Sequence, residues 1–520
     1  MKCLISFLSL LIIAVTSAPC VAQPDPGSLP PLPLDDDDVI EETDTELDTE
    51  AAAESGEIAV PEEVECNIDL PEVHSAKIER RIGRVLKSKH LIGARIGVLA
   101  VTYPEGDVLY KRNANEQFNP ASVMKMFTTA AAMVTLGVDA RYKTAVFAGP
   151  GDCPSLYLVG GGDPGLGNSE VKDLARKVSG GDIDCVEAVY YDPSLFDDQA
   201  LPPHFEEKQS DAHWRPRVGA LGMDDGAFSV RVKPGDYQGA APLAELKPDT
   251  GCLLVDSRAV TVDVPGENKL WVSVSTLDGK VVVNISGESP MTDKSGTAFK
   301  KAVPDPDRFT ACYFAEQLSR RGVEIRDREL RKGTAPAGSR QVVAVESGPL
   351  KGDLKRMQRW SRNFVAEQLV KLMAPADCRP ATFACGLAQL RRALFTLGVQ
   401  PSCMELGNGS GLFNANLVSP AQVVGLLVQL VGNEELGASY RGYLAAAGAS
   451  GTLMERMRKL HKKVLGKTGT LDGVSALAGY HLRGKGRFTV FAIIFNDAKA
   501  PVFHLRKLQD RVVEILASWK

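Results

Sequence analysis

Three short groups of polar residues, of types that can take part in acyl transfer, stand in order along this chain of 520 residues. They are Ser122-Val-Met-Lys125, Ser361-Arg-Asn363 and Lys467-Thr468-Gly469-Thr470. A serine hydroxyl becomes a strong nucleophile only when a base takes its proton, and a lysine can be that base if burial and a neighbouring positive charge lower its pKa. We therefore predict Ser122 as the nucleophile and Lys125 as its base, with Lys467 as the second charge.

The second group supplies a proton carrier and an amide. Ser361 can pass a proton towards a leaving amine, and the Asn363 side chain can accept from a lysine while donating to a substrate carbonyl. Taken alone, this pair is more typical of a helix end with solvated polar groups. Its position between the other two groups favours a catalytic role.

The third group predicts one wall of a substrate cleft. Lys467 opens a strand along which an extended peptide can pair, and its ammonium, with the Thr468 hydroxyl, suits a substrate carboxylate. Gly469 removes a side chain that would block this approach. The backbone N–H groups of Ser122 and Thr470 are predicted to receive the developing oxyanion.

A helix is predicted to hold the first group. Asn119 is a good helix cap, Pro120 suits the first helical position, and the apolar run that continues to Leu136 predicts a core helix with Ser122 in its first turn. A helix start carries the positive end of the macrodipole and unpaired N–H groups. An anionic intermediate is therefore favoured beside Ser122.

Alternating apolar residues at the two ends of the globular region predict one sheet with helices on its faces. Strands are predicted over residues 94–103, 108–111, 464–470, 475–481 and 488–496, and helices over 76–90, 351–373, 383–397, 421–430, 452–462 and 502–519. Between them, residues 143–345 contain short strands separated by Gly, Pro and Asp, which predicts inserted β-rich domains. The catalytic domain would then comprise residues 76–142 and 346–520.

With these motifs the chain resembles the class C low-molecular-mass penicillin-binding proteins, the D-alanyl-D-alanine carboxypeptidase/endopeptidase family. The resemblance covers nearly all of residues 75–520, and the gap of 239 residues from Ser122 to Ser361 is typical of a family with domains inserted there. It implies an α/β (α+β) fold, in which a serine transpeptidase/β-lactamase-like domain, an antiparallel sheet flanked by helices, is interrupted by two inserted β-rich domains.

The resemblance also implies a function. A serine DD-peptidase would hydrolyse the D-alanyl-D-alanine ends or cross-links of peptidoglycan stem peptides through an acyl-serine intermediate, without a cofactor, and β-lactam antibiotics would be covalent inhibitors. One stretch departs from the family, which commonly has Asp-Gly-Ser-Gly-Leu-Ser-Arg where this chain has Asn408-Gly-Ser-Gly-Leu-Phe413-Asn414. A positive charge near the cleft is thereby lost, which leaves open the stem-peptide side chain that is bound.

Two alternative functions use the same residues differently. A serine β-lactamase or esterase would deacylate fast, although no dedicated deacylating Glu is evident. A catalytically weak peptidoglycan-binding scaffold would have a vestigial site, which the intact Ser, Lys, Asn, Thr and Gly residues of the three groups argue against.

The first 75 residues predict export and a tether. Lys2 precedes an apolar stretch, residues 4–15, that is too short to span a bilayer and is followed by small residues, as in a secretory signal peptide over residues 1–22. A lipid-modified Cys20 is the alternative. Residues 23–75 are assigned to an acidic disordered linker, because residues 23–65 are rich in Pro, Asp and Glu and poor in large side chains. The protein is predicted to lie in the periplasm or cell envelope.

The acidic N-terminal residues mask a net positive charge on the rest of the chain. Residues 1–65 hold sixteen acidic side chains and one basic one, whereas the whole chain has a net charge of −5, so the remainder carries a net charge of +10. Such a body suits weak association with a membrane or with an anionic cell wall, and equally suits solvated cations with no particular partner. No nucleic-acid motif is present, and the oligomeric state is left open.

The cysteines predict disulfides and no metal site. Eight cysteines follow the signal region, an even number that favours disulfides in an exported protein. Cys378, Cys385 and Cys403 lie close in sequence, which predicts at least one local bridge, although the connectivity stays open. No spacing of Cys or His forms a zinc pattern.

Overall fold

The computed structural model describes residues 66–263 and 269–519. Helices α1 to α10 are Ala76–Val85, Met124–Thr135, Asn168–Ser179, Pro306–Ser319, Lys351–Trp360, Asn363–Leu372, Phe383–Thr396, Pro420–Gly432, Gly437–Tyr443 and Val502–Leu516. Strands β1 to β20 are Arg95–Tyr103, Val108–Arg112, Lys143–Ala148, Leu156–Val159, Cys185–Asp192, Ala227–Lys233, Leu243–Lys247, Leu253–Ser257, Val260–Val262, Lys269–Leu277, Lys280–Pro290, Thr297–Ala302, Glu324–Lys332, Arg340–Glu346, Glu405–Leu406, Asn416–Leu417, Ala445–Ala446, Val464–Leu471, Val474–Gly484 and Arg487–Asn496.

The two ends of the described chain meet in a six-stranded antiparallel sheet with the order β17-β18-β19-β20-β1-β2. Successive residues of a strand point to opposite faces, so Val98 joins the core under α1 and α10 whereas Leu99 joins the core formed with α2 and α8. The predicted fold, an antiparallel sheet flanked by helices, is confirmed.

Helix α2 is the centre of the helical layer, with ten of its twelve residues buried. The sequence placed Ser122 in the first turn of this helix, and that detail is wrong. Ser122 lies in a short 3-10 turn, Ala121–Val123, and α2 begins only at Met124. Ala121 has φ = +44°, which a right-handed α-helix does not allow. The Asn119 side chain accepts from the Ala121 N–H at 2.9 Å and so forms an Asx turn that leads into this 3-10 turn.

The second group of reactive residues lies at a break between two helices. A single helical region was predicted over residues 351–373, but α5 ends at Trp360 and α6 begins at Asn363. Ser361 is left-handed with φ = 62° and ψ = 33°, and Arg362 is extended. This break turns Ser361 and Asn363 out of a continuous helix face, so that both side chains reach the cleft.

The region between β3 and β14 contains three sheets, with orders β13-β5-β4-β3-β14, β12-β6-β7 and β10-β11-β8, the last joined by β9. Its β-rich character agrees with the prediction. Two helices, α3 and α4, were not predicted, although Asp305 caps α4 and Pro306 occupies its first turn. Both pack with the sheets in one core cluster that includes Val171, Phe314 and Val283.

The N-terminal segment is more ordered than the linker prediction required. The proposed signal peptide, residues 1–22, and the linker as far as residue 65 lie outside the described residues. Residues 66–75, however, pack on the sheet and on the helical layer: Val73 bridges Val108, and Lys111 donates to the Leu70 carbonyl at 3.1 Å. The disordered linker was therefore extended too far, because a disulfide and β-pairing fix its last ten residues.

Four disulfides join all eight cysteines that follow the signal region. They are Cys66–Cys403, Cys153–Cys185, Cys252–Cys312 and Cys378–Cys385. The local Cys378–Cys385 bridge confirms the prediction made from the cluster of three.

The basic segment 452–462 was predicted to be helical, and this is wrong. It holds only the 3-10 turns Gly451–Leu453 and Arg458–Leu460, because Met457 and Lys462 both have positive φ. Within residues 66–263 and 269–519, none of the helices is long and apolar enough to cross a membrane.

Candidate active site

The structure brings the three reactive groups together between strand β18 and the helical layer. The Lys125 ammonium nitrogen lies 3.0 Å from Ser122 Oγ and 2.5 Å from Asn363 Oδ1. The Lys467 ammonium nitrogen lies 2.8 Å from Ser361 Oγ. Residues from three distant stretches of sequence therefore form two lysine–serine pairs, with Asn363 attached to the first.

Lys125 has the environment of a general base. Its side chain is fully buried, and its third hydrogen bond goes to the Ser410 carbonyl at 2.8 Å. Burial above all, and then the positive charge of Lys467, hold the pKa of Lys125 well below its usual value, while Glu367 acts in the opposite direction. A lowered pKa increases the neutral fraction of Lys125 at neutral pH, and only the neutral amine can accept the Ser122 proton.

Lys467 is also fully buried, and burial lowers its pKa to about 7. Besides Ser361 it donates to the backbone carbonyl of Thr468 at 2.9 Å. Two of its three N–H donors are thus used within the protein. A pKa near 7 therefore suits Lys467 to give a proton to the Ser361 hydroxyl or to take one from it.

Asn363 connects the catalytic helices to the inserted region. Its amide oxygen accepts from Lys125, and its amide nitrogen donates to the Trp214 carbonyl at 2.6 Å. With both halves of the amide engaged, the side chain has one orientation. That orientation directs the lone pair of Oδ1 towards Lys125.

Gly469 lies directly against the turn that carries the nucleophile. A Cβ built on Gly469 would lie 2.6 Å from the Pro120 carbonyl oxygen and 3.1 Å from the Ala121 Cβ. The glycine therefore permits close approach of the nucleophile turn to β18, and its role in the approach of the substrate carboxylate stays a prediction. The side chains of Thr468 and Thr470 point away from this turn, since strand residues alternate.

One edge of β18 is open where a substrate would lie. Strand β17 pairs only with Leu465 and Gly466, and the Ala447 N–H donates to the Val464 carbonyl at 2.9 Å. Residues of an antiparallel strand direct their backbone groups alternately to the two sides. The N–H and C=O groups of Thr468 and Thr470 therefore face the open edge, whereas those of Lys467 and Gly469 pair with β19.

A buried glutamate, which we did not predict from the sequence, holds the loop that contacts Lys125. Glu367, in α6, is fully buried and accepts from the backbone N–H groups of Gly409 at 3.1 Å and Ser410 at 2.7 Å. Burial raises its pKa. Because the Ser410 carbonyl receives a hydrogen bond from Lys125, Glu367 fixes the loop that holds the base. The signal in the sequence was a single Glu within the apolar run of residues 364–372.

The stretch that departs from the family lies beside the site. The Phe413 ring makes edge contacts with Phe205 and Trp214, at centroid distances of 5.9 and 6.1 Å, and its carbonyl accepts from the Asn119 side chain at 2.8 Å. The exposed Asn414 amide donates to Glu207 at 3.1 Å. An aromatic cluster and an amide thus occupy this side of the cleft.

The described ranges of the chain contain no group of three or more His, Cys, Asp or Glu side chains that could hold a metal ion.

Comparisons with known proteins show the family of the chain. Residues 78–518 match the model of the D-Ala-D-Ala carboxypeptidase 3 (S13) family. The chain is 32% identical over 465 residues to the D-alanyl-D-alanine carboxypeptidase of Actinomadura sp. (strain R39), which covers 85% of each chain.

The fold is similar to that of penicillin binding protein 4 (dacB) from Haemophilus influenzae, with a TM-score of 0.73 at 22% identity over 84% of this chain and 99% of that one. A β-lactam complex of the same protein matches with a TM-score of 0.69, at 22% identity over 84% of this chain and 100% of that one. Because the family model spans most of the chain and the Actinomadura enzyme exceeds 30% identity, the chain belongs to the D-Ala-D-Ala carboxypeptidase 3 (S13) family.

Proposed function

We propose that this serine D-Ala-D-Ala carboxypeptidase acts on peptidoglycan stem peptides through an acyl intermediate on Ser122, with Lys125 as the base. The observation that carries the proposal is the 3.0 Å contact between Ser122 Oγ and the Lys125 amine, whose pKa burial and Lys467 hold well below normal. An ordinary surface lysine would be protonated and could accept nothing at neutral pH.

Acylation follows from this pair. Neutral Lys125 takes the Ser122 proton while Oγ attacks the carbonyl carbon between the two D-alanines. The oxyanion is bound by the N–H groups of Ser122 and Thr470, a contribution of about 3 kcal/mol per donor. The free edge at Thr470 supports its part in this site, because none of the described strands pairs with that N–H.

Collapse of the tetrahedral intermediate requires a proton on the leaving amine. Ser361 donates its hydroxyl proton to the amine and recovers one from Lys467, which lies 2.8 Å away. The C–N bond breaks, D-alanine leaves, and the acyl group remains on Ser122. A pKa of about 7 makes Lys467 suited to give and regain a proton within one cycle.

Deacylation uses the same groups in reverse. Lys125 first gives up the proton that it took from Ser122, and Lys467 regains the one that it passed to Ser361, both by exchange with solvent. A water molecule then takes the place of the leaving amine and loses a proton to Lys125, which is neutral again. Hydroxide addition to the ester forms a second tetrahedral intermediate. The Ser122 alkoxide then leaves and regains a proton from Lys125, so the enzyme is restored and a shortened peptide with a new carboxylate is released.

The substrate would lie extended along the open edge of β18. Backbone groups of Thr468 and Thr470 on that edge support two main-chain hydrogen bonds, as in β-strand addition. A cross-linked stem peptide presents a similar D-alanyl bond, so trimming and cross-link cleavage use one site in this proposal. β-Lactams, which acylate the same serine in this scheme, are its covalent inhibitors.

The division into domains is also a proposal. Residues 76–142 and 346–520 would form the catalytic domain, because they supply the six-stranded sheet and the three reactive groups. Residues 143–345 would form two inserted β-rich domains, since they supply three further sheets with a core cluster of their own.

We further propose export to the periplasm or cell envelope. The supporting observations are the predicted signal peptide and a peptidoglycan substrate that lies outside the cytoplasm. A basic body behind an acidic linker fits weak attraction to an anionic wall or membrane surface.

Labelling with a reporter penicillin tests the proposal. Intact-mass spectrometry of the folded protein should show one covalent adduct, and Ser122→Ala should show none while it melts at the same temperature. Purified protein incubated with muropeptides of known sequence should release D-alanine or uncross-linked monomers, identified by mass. Rapid nitrocefin turnover without a lasting adduct would instead indicate a β-lactamase. A folded protein that forms no adduct and cleaves nothing would refute the proposal.

A further inference from the structure

Helix α10 carries an arginine that touches the substrate strand. Nη2 of Arg506 lies 3.4 Å from the Thr470 hydroxyl, and the side chain is half-buried. The backbone N–H of the same threonine faces the open edge of β18. A guanidinium therefore lies one side chain away from the place where the scissile carbonyl would bind.

The charge of Arg506 has no carboxylate partner among the residues that the structure describes. Asp510, one turn further along α10, pairs with Arg456 instead, at 3.0 Å from its Nε and 2.8 Å from its Nη2. Arg456 also donates to Gln509 at 3.1 Å and to the Arg506 carbonyl at 3.3 Å. One carboxylate is thus shared between two neighbouring guanidinium groups and is engaged by only one of them.

The electrostatics of Arg506 favour an added anion. Burial, followed by the charge of Arg456, lowers the pKa of Arg506, and the more distant Asp510 only partly opposes these two effects. A guanidinium nevertheless stays protonated at neutral pH because its ordinary pKa is so high. A half-buried cation that lacks an ion pair gains free energy when an anion binds beside it.

Lys467 is less suited to this task than the sequence suggested. Its ammonium is fully buried, it is hydrogen-bonded to Ser361 and to the Thr468 carbonyl, and its pKa is about 7. A group that loses its charge near neutral pH and serves Ser361 holds a substrate carboxylate poorly. Arg506, in contrast, carries a permanent charge in contact with the Thr470 side chain.

We infer that Arg506, together with the Thr470 hydroxyl, binds the C-terminal carboxylate of the substrate and so selects peptides and β-lactams that carry one. The inference rests on the proposed DD-peptidase function. In a peptide ending in D-Ala-D-Ala, the terminal carboxylate lies about one residue, or roughly 3.8 Å, beyond the scissile carbonyl. With that carbonyl at the Thr470 N–H, the carboxylate falls within reach of the Thr470 side chain and its guanidinium partner.

The experiment compares charged and neutral versions of one ligand. Second-order acylation rates are measured with benzylpenicillin and with its methyl ester, for the wild type, Arg506→Ala, Arg506→Gln, Arg506→Lys and Lys507→Ala. A charge-assisted contact predicts that Arg506→Ala and Arg506→Gln lose about 10- to 100-fold with the acid and less than about 3-fold with the ester. Arg506→Lys should recover part of the loss. Lys507 is exposed and lies over the Phe503 ring, so Lys507→Ala is the matched control and should behave as wild type.

Each outcome separates the inference from the function on which it rests. Equal losses with acid and ester, or no loss with the acid, would overturn the role of Arg506. If the wild type is acylated by neither ligand, the DD-peptidase proposal itself fails. Thermal melting of each variant is recorded, and Arg506→Gln, which keeps most of the side-chain volume, decides the matter if Arg506→Ala does not fold. An acyl-D-Ala-D-Ala peptide and its C-terminal amide should repeat the same pattern of rates.

Discussion

Replacing Gly469 by alanine should move the nucleophile away from the strand that binds the substrate. The new Cβ would lie 2.6 Å from the Pro120 oxygen, whereas real Cβ contacts essentially never fall below 3.0 Å and are comfortable only from 3.4 Å. The turn and the strand must therefore part by roughly 0.4 to 0.8 Å. The Ala476 Cβ, at 3.2 Å, limits movement of the methyl group in the other direction.

This displacement acts on the two oxyanion donors at once. Ser122 follows Pro120 by two residues, and Thr470 follows Gly469 directly, so a wider gap separates the Ser122 N–H from the Thr470 N–H. A misplacement of 1 Å can cost about 100-fold in rate, so we expect acylation of Gly469→Ala to fall roughly 10- to 100-fold. Overpacking should also lower the free energy of unfolding by about 1–3 kcal/mol.

The assay measures acylation by a fluorescent penicillin alongside thermal melting. Gly83→Ala is the control, because Gly83 lies in α1 with nothing within 4 Å of an added Cβ. It should keep the wild-type rate and gain about 0.5–1 kcal/mol of stability from its helical position. If Gly469→Ala is acylated at the wild-type rate with unchanged melting, the close approach of turn and strand has no part in catalysis.

Three further predictions concern the lysines and the amide between them. Lys125→Met should lower acylation by about 10³-fold while melting changes little, and loss of both together would mean that Lys125 is structural. Wild-type acylation should rise as the pH increases through the pKa of Lys125. Lys467→Gln should move this rise to higher pH, because the substitution removes a positive charge that lowers the pKa of Lys125. A pH profile that does not move would contradict this explanation. Asn363→Asp places a carboxylate beside Lys125 and raises the pKa of the lysine, so acylation should fall at neutral pH and recover at alkaline pH. A loss that is independent of pH would point instead to the broken hydrogen bond with the Trp214 carbonyl.

Periodicity and capping residues predicted those helices and strands whose conformation is set by their own residues. The antiparallel strands at both ends of the chain and the buried helix after Ser122 follow from periodicity and capping. Prediction failed where other elements set the backbone. The positive φ of Ala121 and of Ser361 lies in a region that non-glycine residues seldom adopt, and contacts from elsewhere in the fold must stabilise it. Helix α4 was missed despite its Asp-Pro start because its flanks resemble the surrounding short strands.

By itself, the sequence determined the kinds of reactive residue, their order and the strands and helices that carry them. Only the tertiary structure decided that Lys125 meets Asn363, 238 positions away, that Gly469 faces Pro120, and that Arg506 forms no ion pair with any described residue. The reason is physical: hydrophobic period and capping act over a few residues, whereas the pKa of a lysine or the need for a glycine depends on which distant atoms exclude water from it or approach it in the folded chain.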